Sequence, residues 1–197
     1  NATRCIARHL MDEASKESLI LTTTHGQIPA VDLGNGVTSV NMGQPELVWD
    51  KVPISKNIPT LELPIEGSPT ATGMGNPHCT FFVEDAEKIN LEEKGQKFEN
   101  HPLFPERTNV QFASISTPDK IRMRVWERGV GVTLASGSSS CATAVAANRR
   151  GLTGKEVQIE LDGGVLNISW REEGVWMTGP TMKVFAGSFS EEFLNSL

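Results

Sequence analysis

The chain reads as an α+β protein in which strands outnumber helices. Segments with strand character come in runs rather than alternating one for one with helices, which argues against a doubly wound parallel sheet. A Pro-rich stretch from Gly43 to Gly67 divides a first helix-and-strand group from a second. A late Gly/Ser run leads into a helix built of small residues, followed by a strand meander.

Thr3 to Ala14 predicts a helix with Ile6, Ala7, Leu10 and Met11 on one face. Ser18 to Thr23 is β-rich, and His25-Gly26-Gln27 reads as a turn. Gly34-Asn35-Gly36, between the strands Val31–Leu33 and Thr38–Met42, is a hairpin signature. Pro45, Pro53, Pro59 and Pro64 exclude regular helix from 43 to 67, and this stretch is expected to be a linker or edge segment. Beyond it, Cys79–Val83 predicts a buried strand, Leu91–Asn100 a polar helix, and Asn109–Ala113 and Ile121–Trp126 alternating strands. A loop from Ala135 to Ser140 precedes a helix from Cys141 to Arg150, closed by Gly151. Val157–Leu161, Val165–Trp170 and Val175–Thr178 complete the meander.

The 197 residues are 38% hydrophobic and 21% charged, enough to build a core. No apolar run approaches the roughly 18–20 residues that a membrane span requires. The net charge of −6, with Lys and Arg scattered, argues against a nucleic-acid partner. The three cysteines, Cys5, Cys79 and Cys141, have no metal-ligand spacing and fit a reducing interior. With no initiator Met and no signal-peptide pattern at Asn1, the chain is expected to be a piece of a longer one.

Chemistry-bearing residues fall into a few short motifs. Leu134 to Cys141 is a Gly/Ser run entering a helix, which presents free amides and the positive end of a helix dipole to an anion, or is an ordinary Ser cap. Trp126-Glu127-Arg128-Gly129 ends a strand with an acid beside a base: either rim charges, or a site where Arg128 forks a carboxylate and Glu127 fixes an amine. Gly75-Asn76-Pro77-His78 is a turn before a buried strand, and Asn109 opens another strand. Asn1-Ala-Thr-Arg-Cys5 and Ser136-Gly-Ser-Ser-Ser-Cys141 echo one another, each a polar loop at a helix start with a Cys inside the first turn. No His-Glu-x-x-His, Gly-x-Ser-x-Gly or Cys-x-x-Cys motif occurs.

In order, Gly75-Asn76-Pro77-His78, Asn109-Val110, Trp126-Glu127-Arg128-Gly129-Val130-Gly131 and Ala135-x-Gly137-Ser138-x-x-Cys141-Ala142 resemble the C-terminal half of the diaminopimelate epimerases. Asn1-Ala2-Thr3-Arg4-Cys5 resembles the tail of that family's first signature, whose Cys-Gly would stand just before Asn1. The resemblance implies two pseudo-symmetric lobes, each a curled, mostly antiparallel sheet around a central helix, with the active site in the cleft between them. Residues 1–43 would belong to the N-terminal lobe, with 182–197 packing back on it, and 44–181 would form the C-terminal lobe. It also implies a cofactor-independent, cytoplasmic, homodimeric isomerase of lysine and cell-wall precursor synthesis that interconverts LL- and meso-diaminopimelate and uses no metal. Two bases on opposite faces of the α-carbon would move its proton, one as thiolate and one as thiol.

Carried over by position, Asn1, Gly137 and Ser138 would bind the reacting carboxylate. Glu127 would meet the amine and, with His78, tune the thiols. Asn76, Asn109 and Arg128 would hold the distal amino-acid end. The chain departs from the pattern at Ser136, where the family has its second catalytic Cys, and at Ser139, where Gly is usual. A hydroxyl is a far weaker acid than a thiol. Three readings follow: an introduced Cys→Ser change, a natural enzyme working with one thiol, or a relative that binds without turnover.

Overall fold

A computed structural model describes residues 2–23 and 26–196. Helix α1 (Ala2–Ala14) is followed by strands β1 (Ser18–Thr23), β2 (Gly26–Asp32) and β3 (Val37–Asn41). After the Pro-rich crossing come β4 (Thr70–Gly73), β5 (Pro77–Phe82), α2 (Leu91–Glu99), β6 (Asn109–Thr117), β7 (Lys120–Glu127) and β8 (Gly131–Thr133). Helix α3 (Gly137–Arg149), the meander β9 (Glu156–Leu161), β10 (Gly164–Arg171) and β11 (Gly174–Pro180), and a short α4 (Glu191–Leu194) complete the chain.

Among the described residues all the strands belong to one curled sheet, in the order β1-β2-β3-β11-β10-β9-β7-β6-β5-β4, with β8 added along β7. The pairing is antiparallel except at β5–β6 and β7–β9. The early strands join the late ones where β3 meets β11, Val40 opposite Met177. The α+β class read from the sequence is what folds. Gly34 and Gly36, both at positive φ, turn the β2–β3 hairpin as their spacing predicts.

Helix α3 organises the interior. Its residues from Ser139 to Ala147 are all buried, so it has no solvated face. Ser, Cys, Ala, Thr and Val keep it slim enough for the sheet to wrap around it. Met123, Val125, Ile159, Ile168 and Met177 pack with it in one core, which Ala7 and Met11 of α1 join from the other side. A second core lies under α2, where Phe81 stacks on Phe112 with ring centroids 5.0 Å apart and meets Phe98 at 4.4 Å.

Four expectations need correction. The buried face of α1 is Arg4, Ala7 and Met11, while Ile6 and Leu10 are exposed, so the apolar pairs marked the wrong stripe. Gly26 opens β2 rather than continuing a turn; His25 lies outside the described residues. Helix α3 begins at Gly137, so Gly137 to Ser140 form its first turn rather than a loop. The 43–67 stretch is irregular but not a loose linker: Val52, Ile54 and Leu63 are fully buried in the second core. Proline forbids a helix there without forbidding burial.

Helix α2 sits on Trp126 through a single glycine. A Cβ at Gly95 would fall 2.5 Å from the indole Cγ and 2.6 Å from the Trp126 Cβ. Gly95→Ala is expected to lower stability by about 1–3 kcal/mol despite the better helix propensity of alanine, because ring and helix must separate. Urea unfolding of the two forms checks this, and an unchanged midpoint would contradict it.

Candidate active site

Helices α1 and α3 bring their N-termini to one cavity of about 350 Å³. Ala2 and Thr3 of α1 line one side, and Ser136, Gly137 and Ser138 line the other. Glu127 enters from the end of β7, and Met42 and Met177 supply apolar wall. Two positive dipole ends converge on a small space between them, which suits a carboxylate. Beneath it Arg4, 4% exposed, donates from Nη1 to Met177 Sδ at 3.3 Å and adds a buried cation. A larger groove, about 950 Å³, runs between α1 and residues 181–187; Cys5 lines it, but Glu127, Arg128, His78 and the first turn of α3 do not.

Ser136 is the N-cap of α3, yet its hydroxyl bonds none of the helix amides. It donates instead to Glu127 Oε2 at 3.0 Å. Thr133 Oγ1 donates to the other oxygen of that carboxylate at 2.7 Å, so Glu127 is held between two hydroxyls at the cavity rim. Arg128, the next residue, does not line this cavity.

The remaining motif residues gather at one end of three adjacent strands. His78 stands opposite Asn109 in the parallel β5–β6 register, and β7 ends beside β6 with Glu127 and Arg128. Asn109 Oδ1 accepts the backbone N–H of Arg128 at 3.0 Å, and Asn109 Nδ2 donates to the Pro77 carbonyl at 2.8 Å. Both ends of the Asn109 amide are thus engaged within the protein. Arg128 Nη1 donates to the Glu106 carbonyl. Asn76, half-buried, accepts from His78 Nε2 at 2.8 Å.

His78 is fully buried and does not line the cavity. Thr80 donates to Gln111 Oε1, leaving the Gln111 amide nitrogen to donate to His78 Nδ1 at 3.1 Å and to Ser139 Oγ at 3.0 Å. The ring is therefore the Nε2–H tautomer. Burial, and secondarily the charge of Arg128, push its pKa down to about 3, so it is neutral at physiological pH. Ser139 Oγ, 3.5 Å from His78 Nδ1, links this buried chain to the first turn of α3.

Of the sequence-predicted residues, Glu127, Ser136, Gly137 and Ser138 share the cavity, while Asn76, His78, Asn109 and Arg128 form a connected cluster beside it. Asn1 lies outside the described residues. The echo of the two cysteines is partial, because Cys5 is exposed and Cys141 buried. Burial pushes the Cys141 thiol up to about 12, so it stays protonated at neutral pH. Thr133, Met42, Met177 and Arg4 join the site without an assigned role in the sequence motifs. Only Arg4 carried a signal, as the Arg of the first signature.

A neutral buried histidine has a cost in acid. The unfolded chain takes up a proton near pH 6.5 that the folded chain refuses until about 3, so stability falls as pH drops through that window. The contribution between pH 6.5 and about 5 is on the order of 1–2 kcal/mol. His78→Gln is expected to flatten the pH dependence of the thermal midpoint there, whatever its effect at neutral pH. An equal slope in both proteins would contradict the assignment.

The diaminopimelate epimerase family model matches residues 70–184. A diaminopimelate epimerase from Acidiphilium cryptum is 46% identical over 200 residues, covering 98% of this chain and 72% of the relative. One from Rhodospirillum centenum is also 46% identical, over 98% of this chain and 68% of its own length. Among solved structures, a hydroxyproline epimerase from Agrobacterium vitis shares the fold with a TM-score of 0.63 at 13% identity, covering 90% of this chain and 62% of that one. A phenazine biosynthesis protein of the PhzF family from Enterococcus faecalis gives 0.59 at 14% identity, covering 91% and 68%. The motif order, the match of the family model and the identity across nearly the whole length place this chain in the diaminopimelate epimerase family.

Proposed function

We propose that the chain binds diaminopimelate and exchanges the proton on its α-carbon without a cofactor, at a rate held down by Ser136. The observation that carries this reading is the cavity shared by two helix N-termini with Glu127 between them. The α-carboxylate of an amino acid fits where the amide ends meet, and the negative charge that grows as the α-proton leaves is stabilised there. Glu127, steadied by Thr133 and Ser136, offers its carboxylate to the ammonium group. The cluster of Asn76, Asn109 and Arg128 lies to one side, where a second amino-acid end would need recognition. Asn109 would act there by fixing the Arg128 backbone, since its own amide is engaged.

Ser136 occupies the seat of a base. Its hydroxyl is a poor proton acceptor at neutral pH, and the thiol of Cys141, farther along α3, is buried and protonated. The second base belongs on the α1 side of the cavity, across the α-carbon from Ser136. Free, unpaired cysteines fit a cytoplasmic enzyme, and the family resemblance points to a homodimer.

A second reading is favoured by the Ser136–Glu127 bond itself: a protein that binds the amino acid and does not turn it over. Solvent deuterium separates the two. Ser136→Cys is expected to raise deuterium incorporation at the α-carbon of LL-diaminopimelate by about 100-fold or more, with no added cofactor. Saturable binding with no gain in exchange in the Cys form would overturn the epimerase reading and leave the binding one.

A further inference from the structure

Glu99 is an acid in the last turn of α2, where the helix dipole disfavours negative charge. It is only 5% exposed. A carboxylate buried at that end of a helix needs strong donors, and it has three. Trp126 Nε1 donates to Oε2 at 2.6 Å, while the Gly129 backbone N–H at 2.8 Å and Arg107 Nη1 at 3.0 Å donate to Oε1. Two of these donors flank Glu127 and Arg128 on either side. The same turn is closed by Val130 N–H donating to the Glu127 carbonyl. One helical turn earlier on the same face, Gly95 leaves room for the Trp126 indole. Helix α2 thus meets the corner with two features, a space for the ring and a carboxylate for the N–H groups on either side of the cavity residue.

We infer that Glu99 is a positioning residue that clamps the Trp126–Gly129 corner, and thereby sets Glu127 in the cavity and Arg128 beside it for binding of the amino acid. It touches neither cavity nor substrate and acts only through the corner. The inference rests on the reading that the cavity binds diaminopimelate. The clamp itself is independent of that reading, because the three bonds to Glu99 exist without a ligand.

The test is Glu99→Gln, which keeps the size and replaces an acceptor oxygen with an N–H group facing donors. Two measurements are needed: hydrogen exchange at the Gly129 amide, and calorimetric affinity for diaminopimelate. Exchange at Gly129 is expected to speed up, and affinity to fall by about tenfold or more, since misplacement of a positioned group of 1 Å or so carries penalties of that size. In a Glu127→Gln, Arg128→Ala background, which removes both side chains the corner sets, the further loss of affinity is expected to shrink below about twofold, because residues acting through one unit are not additive. A purely structural role would lower the unfolding midpoint and leave the affinity of the folded protein alone. Unchanged Gly129 exchange, or a full tenfold loss that persists in the Glu127→Gln, Arg128→Ala background, overturns the inference. Faster Gly129 exchange in a chain whose unsubstituted form binds no diaminopimelate supports the clamp and sinks the binding reading instead.

Discussion

A helix without a polar face must be surrounded. Helix α3 offers only Ser, Cys, Ala, Thr and Val along its buried length, so it is stable only where strands close around it. Strands β4, β5, β6, β9, β10 and β11 do that, and the N-terminal end of the helix borders the cavity. That end is Ser136-Gly137-Ser138, and it faces the start of α1 across a small cavity. The packing requirement of the helix and the placement of the site are therefore one constraint. The small side chains that let the sheet wrap tightly also let backbone amides approach a ligand.

The polar residues are arranged in two layers around that end. Glu127 and the first turn of α3 lie in the cavity, whereas His78, Gln111, Thr80 and Ser139 form a buried chain behind it. The Gln111 amide has a fixed orientation because the Thr80 hydroxyl donates to its oxygen and leaves its nitrogen to donate. Such a chain is costly when incomplete and rigid when complete. Ser139, which stands where the family resemblance implies Gly, supplies a hydroxyl to it, which gives that departure a physical use.

Much of this was legible before any coordinates. Most of the strands, the Gly34–Gly36 hairpin and the meander follow from periodicity and turn chemistry, though the short β4 and β8 do not, and the motif residues around Glu127 and His78 do fall at one end of the sheet. What was missed has identifiable causes. A Gly/Ser run has low helix propensity, so Gly137 to Ser140 read as a loop although burial makes them helix. The inward face of α1 contains Arg4, and a hydrophobicity pattern does not select an arginine as core. Val52, Ile54 and Leu63 sit in a segment with no periodicity, so their burial depends on what they meet. The bonds from Glu99 to Trp126 and Gly129 join residues about thirty apart and leave no local signal.

The central claim is that two opposed helix ends serve one amino-acid headgroup. Backbone amide chemical shifts recorded while diaminopimelate is titrated test it most directly. The account predicts that Thr3 on α1 and Gly137 and Ser138 on α3 shift together, following a single binding curve. Shifts confined to one helix end, or two ends saturating at different concentrations, would contradict it.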